Sequence, residues 1–265
     1  RRMGIVILPP DVNQSRADFA LEGTAIRFGL VAVKNVGRGS VDAIIAARES
    51  GGVFTSLYDL CRRVDLKGIN KRVIESLVLA GACDGLGGDR AQLLEAVAVA
   101  LGRAQDSAKG QSLDQVNLFG AEHAIEAPEP RLPMVAPWPL PERLKREREV
   151  LGFYFSDHPL TPYRKLIEAR GLADTERVRA SRDGTDLAMI GMVSAVKAIS
   201  DRKGRPMAFA TLEDFAGNVE CLVFADLFEK CRASLAQGSV VEVRGNTSVR
   251  EDEERKLLLQ SVRAI

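Results

Sequence analysis

Six of the eleven prolines, Pro128, Pro130, Pro133, Pro137, Pro139 and Pro141, crowd into one short stretch near the middle of the chain. Each removes a backbone donor and fixes φ, so the stretch is extended and carries neither a long helix nor a central strand. The chain must therefore fold on either side of it. Apolar residues recur at helical spacing before the prolines and at strand spacing from Leu187 onward. With 265 residues there is room for two or three small domains, each with its own core.

Composition narrows the class. Hydrophobic residues at 46% and charged residues at 28% suit soluble globular domains. No apolar run is long enough to span a bilayer, and the Arg1-Arg2-Met3-Gly4 opening lacks an apolar signal core, so a cytoplasmic location is expected. Cys61, Cys83, Cys221 and Cys231 are far apart and only two histidines are present. Neither a zinc site nor a disulfide framework follows from that spacing, and four reduced, buried thiols are expected. The net charge of +1 leaves nucleic-acid binding to local geometry.

Residues 1–27 read as the tail of a region lying upstream: a β-branched run from Gly4 to Leu8, stopped by Pro9-Pro10, then a hairpin about Glu22-Gly23. Residues 28–103 read as two helical hairpins in tandem. In the first, an apolar helix from Phe28 to Val33 leads into the turn Val36-Gly37-Arg38-Gly39, and Ser40 is placed to cap a helix carrying Val41, Ile44 and Ile45. Glycines there let a ligand approach the backbone, and amides of Val36 to Ser40 could face a phosphate. Such contacts hold shape and charge without reading base sequence.

The second hairpin has a helix over Asn70–Ala80, then Gly81, Gly85, Gly87 and Gly88, then a helix opened by the Asp89 and Gln92 capping pair. Lys34, Arg38, Lys71 and Arg72 could add phosphate pairing. A structural turn with solvated surface charges is the alternative at each position.

Residues 104–141 form the proline-rich linker. Within it, Gln115-Val116-Asn117-Leu118-Phe119 sets an apolar pair beside an amide in a flexible tether, a composition suited to a partner's pocket. Residues 142–180 read as a helical connector. Its charged run from Arg143 to Glu149 reads as a solvated face with internal ion pairs, and Ser156-Asp157-His158-Pro159 as a turn rather than a catalytic triad. Residues 181–265 run strand, strand, strand, helix over Asp226–Gln237, strand, strand: the order of an OB-fold barrel. Lys197, Arg202, Lys203 and Arg205 could make a basic loop for single strands, with Phe209 stacking on a base. Equally, Phe209, Phe215, Phe224 and Phe228 could all be core, and the acidic turn Glu251 to Glu254 would repel phosphate.

Four stretches carry a family resemblance: Leu8-Pro9-Pro10-Asp11-Val12-Asn13, Ile26-Arg27-Phe28-Gly29-Leu30, Asn70-Lys71-Arg72-Val73-Ile74-Glu75, and Glu149-Val150-Leu151-Gly152-Phe153-Tyr154 continuing to His158-Pro159-Leu160. In this order they resemble the C-terminal portion of the bacterial DNA polymerase III alpha subunit, a C-family replicative polymerase, over almost the whole chain. The resemblance implies that the tandem hairpins hold duplex DNA, that Gln115, Leu118 and Phe119 enter the sliding clamp, and that the OB domain lies near single-stranded template. It also implies that the catalytic carboxylates and their magnesium belong to the parent polymerase upstream. This chain is then expected to use no cofactor and to be inert alone. A hairpin-bearing DNA repair enzyme and a stand-alone DNA-binding adaptor are the alternatives, and Asp42 near Lys34 would be where a repair site would have to form.

Overall fold

The computed structural model describes residues 6–66, 68–112, 128–201, 203–249 and 254–265, with only the backbone described for 109–112. The chain divides into two compact units, Arg1–Ser156 and Asp157–Ile265. The expected connector, 142–180, is thereby shared between them.

The first unit is helical with a small sheet. Strands β1 (Ile7–Leu8), β2 (Ala20–Glu22) and β3 (Ala25–Arg27) pair in the order β1-β3-β2, with β2 and β3 forming the expected hairpin. Helices α1 (Arg38–Gly51), α2 (Leu57–Arg63), α3 (Lys71–Leu79), α4 (Arg90–Ser112) and α5 (Leu140–Leu151) follow. Their core holds Leu30, Ile44, Leu60, Ile74, Leu77, Leu93 and Val97, all buried. The segment before the hairpins is stitched to it: Val12 is buried, its N–H donates to Ala82 O, and Asn13 exchanges hydrogen bonds with the Phe54 backbone in both directions.

Where the local chemistry is self-contained, the helix ends fall where the sequence puts them. Asn70 Oδ1 accepts from Val73 N at 3.1 Å and opens α3. Asp89 and Gln92 cap α4 reciprocally, at 3.1 Å each way. Where other segments intervene, expectations fail. Phe28 to Val33 is not a helix but a single 3-10 turn at Leu30–Ala32. The donors of Phe28, Leu30 and Val31 are spent on Leu8, Arg16 and Ala17 carbonyls. α4 also runs on to Ser112, past the apolar periodicity, through good helix formers such as Ala104, which is itself buried. The charged run in α5 is only partly solvated. Arg146 and Glu142 pair at 2.7 Å as expected, but Glu147 is fully buried.

The second unit begins with Asp157 to Thr161 folded as a turn: Asp157 Oδ1 accepts from His158 N and Thr161 Oγ1. Helices α6 (Arg164–Ala169) and α7 (Thr175–Ala180) precede a closed barrel of β4 (Asp186–Ser200), β5 (Pro206–Glu213), β6 (Asn218–Val223), β7 (Val240–Ser248) and β8 (Lys256–Ala264), in the order β4-β5-β6-β8-β7. The intervening α8 (Ala225–Cys231) is shorter than expected, although Leu235 beyond it still enters the core. Buried Ala208, Ala210 and Leu212 alternate with outward residues along β5, the period of a half-buried strand. Of the four phenylalanines considered for this core, Phe228 joins it, Phe215 and Phe224 are exposed, and Phe209 faces outward, half-buried.

Candidate nucleic-acid interface

The first hairpin turn differs from expectation in detail. Val36 is buried and its N–H donates to Val33 O at 3.1 Å, so that amide is already used. Ser40 is not the cap: it lies inside α1, and its hydroxyl donates to Gly68 O at 2.6 Å. Gly37 occupies the cap position, with no side-chain cap. The first-turn amides of Arg38, Gly39 and Ser40 thus have neither a preceding helical carbonyl nor a capping side chain. Gly37 adopts φ −81°, so no left-handed conformation demands glycine there. A Cβ added at Gly37 or Gly39 would meet nothing within 4 Å. The missing side chains leave room outside the chain rather than inside it.

The second turn is closed. Side chains cap α4, and Gln92 Nε2 also donates to Pro133 O at 3.1 Å. A Cβ at Gly88 would strike Leu132. The proline-rich segment therefore covers the second turn, and the first alone presents uncapped amides.

Cations lie on both hairpins. Arg38 is exposed and held by Asp18 at 2.7 Å, a hydrogen bond that raises its pKa further. Lys71 approaches Glu75 at 3.5 Å. Lys34 and Arg72, from the two hairpins, line one cleft. The Ser40 to Gly68 bond sets the start of α1 beside the segment leading into α3.

On the barrel, cross-strand register lines up Lys197, Phe209, Leu222 and Leu258 on β4, β5, β6 and β8. Lys256 Nζ lies 5.5 Å from the Phe209 ring centroid and 2.9 Å from Glu220. Lys256, Leu222 and Leu258 were not foreseen from sequence; the period-2 pattern of β6 and β8 was the available signal. Lys203 is exposed, whereas Arg205 is drawn to Asp201 at 3.0 Å and Asp226 at 2.9 Å. Arg202, the peptide of Gln115, Leu118 and Phe119, and the acidic turn except Glu254 lie outside the described residues. Among the described residues, no three His, Cys, Asp or Glu side chains converge on a possible metal site, and no helix is long and apolar enough to cross a membrane.

Both modules match families of known proteins. The helix-hairpin-helix motif family model matches residues 4–93, and the model for the OB-fold nucleic acid binding domain matches residues 188–265. The chain is 34% identical over 250 residues to the DNA polymerase III subunit alpha of Vibrio cholerae, covering 94% of this chain and 22% of that subunit. It is a relative of the DNA polymerase III alpha subunit. The alpha subunits of Escherichia coli K12 and Bacillus subtilis are each 36% identical over 250 residues, covering 93% and 94% of the chain. The chain spans about a fifth, 22%, of these alpha subunits, and its two modules fit a C-terminal portion. Among solved structures, the small single-stranded DNA-binding protein from Streptomyces coelicolor is 17% identical, covering 32% of this chain and 96% of that one, with a TM-score of 0.27.

Proposed function

We propose that this chain grips duplex DNA without sequence specificity, as the C-terminal part of a replicative, cytoplasmic DNA polymerase III alpha subunit. The observation that carries this reading is the uncapped first turn of α1. It carries Gly37 and Gly39, whose Cβ positions are open, and Lys34, Arg38, Lys71 and Arg72 supply cations on the two hairpins. Backbone amides at a helix start suit a phosphate and ignore base identity.

Two further contacts belong to the same reading. Gln115, Leu118 and Phe119 dock on the sliding clamp, raising the effective concentration of polymerase at the primer end. The barrel row of Lys197, Phe209 and Lys256 takes single-stranded template by stacking and charge. Polymerisation and its magnesium ions belong to the rest of the longer subunit, so the chain alone is inert and needs no cofactor.

The test is equilibrium binding of the chain to several duplexes of unrelated sequence over a salt series. Equal affinities that fall steeply with salt are expected. Binding that depends on one base sequence, or none, would overturn the reading.

A further inference from the structure

Asn35 has φ 68°, the one positive value outside glycine among the described residues. Asparagine tolerates this region better than most side chains, yet it persists only where neighbours hold it. Two do so here. Asn35 Nδ2 donates at 3.1 Å to Oγ of Ser76, a buried residue of α3. The adjoining Lys34 N–H donates at 2.9 Å to Val150 O on α5. The first hairpin is thus fixed against a helix of the second and against the helix that follows the prolines.

At this junction opens a cleft of about 240 Å³, whose lining includes Lys34, Asn35, Arg72, Ser76, Glu75 and Glu149. Arg72 and Ser76 share one face of α3, four residues apart. Both Glu149 and Glu75, the latter approached by Lys71 at 3.5 Å, line the cleft beside Lys34 and Arg72.

We propose that Lys34 and Arg72 close on a single phosphodiester of the duplex, making one site that spans both hairpins. Asn35 is its positioning residue, and Glu149 weakens the hold by repulsion. A site with balanced charge grips without arresting, which suits a protein that must move along its DNA. This rests on the duplex reading above, which treats the cations as separate contacts.

The experiment is anisotropy of a labelled duplex with the chain across a salt series. Lys34→Gln, Arg72→Gln and the double variant are compared. One shared phosphate accounts for a slope of about 0.9 in log affinity against log salt, or on the order of fivefold in affinity at physiological salt. Each single variant is expected to lose about that much, and the double variant no more. Glu149→Gln should tighten binding by about two- to fivefold. Asn35→Gly keeps the left-handed backbone but loses the bond to Ser76 and should weaken binding, and Asn35→Ala, which loses both, should weaken it more. Additive losses in the double variant, unchanged binding by Glu149→Gln, or equal binding by both Asn35 variants would overturn the shared site while leaving duplex binding intact. Absence of binding by the parent chain would overturn both.

Discussion

Arg90, at the start of α4, donates through Nη1 to Glu147 Oε2 on α5 at 2.9 Å, with the two side chains only 11% and 1% exposed. The other Glu147 oxygen accepts the N–H groups of Phe155 and Ser156, at 2.5 and 2.8 Å. This joins the helix before the prolines to the helix after them. The helices on either side of the segment that contains Gln115 to Phe119 therefore belong to one compact unit.

Removing Glu147 leaves Arg90 paired with Asp84 alone, at 2.8 Å, and takes the acceptor from the Phe155 and Ser156 N–H groups. Glu147→Ala is expected to cost about 1–3 kcal/mol, read as a lower urea midpoint for the first unit. Equal midpoints for parent and Glu147→Ala would contradict the structural role.

Burial pushes the Cys61 thiol up to about 12, and Cys83 and Cys221 upward for the same reason. A folded pKa above the ordinary value of about 9 means that the fold favours the neutral thiol. The associated stability is complete below about pH 9 and is lost as pH rises toward 12. Alkylation by iodoacetamide at pH 8 should accordingly follow unfolding, with negligible labelling of the folded chain. Rapid labelling without unfolding would contradict the burial of these thiols.

If the barrel takes single strands, Phe209 should matter more than Arg205, because Arg205 is engaged by two carboxylates. Phe209→Ala is expected to weaken oligothymidine binding by about 1–3 kcal/mol, with Arg205→Gln nearly neutral. The opposite ranking would move the site to the β4–β5 loop.

Clamp docking is separable from DNA binding. A variant with Gln115→Ala, Leu118→Ala and Phe119→Ala together should lose most of its affinity for a bacterial sliding clamp while binding duplex as before. Clamp affinity that is unchanged would return these residues to the linker.

The sequence disclosed what local chemistry decides. Asn70 and the Asp89–Gln92 pair start helices by their own hydrogen bonds, and the strand order with one intervening helix is enough for the barrel. It failed where distant partners decide. Phe28 to Val33 loses its helix because earlier carbonyls take its donors. Glu147 looks like one more surface charge until Arg90, 57 residues away, is placed beside it. Ser40 reads as a cap but is used as a bridge to Gly68. α2, opened by Ser56 accepting from Asp59 N, passed unnoticed because it is only seven residues long. At the candidate interface the glycine turn was legible, whereas Asn35 and Lys256 depend on tertiary neighbours.

Gly39→Leu tests the duplex grip most directly. Gly39 is helical and its Cβ position is open, so the variant should melt at or above the temperature of the parent, because leucine gains up to about 1 kcal/mol over glycine in a helix. A side chain there would nonetheless bar a phosphate from the amides of α1, and duplex affinity should fall about tenfold or more. A folded Gly39→Leu chain that binds duplex as tightly as the parent would contradict the assignment of this turn to DNA.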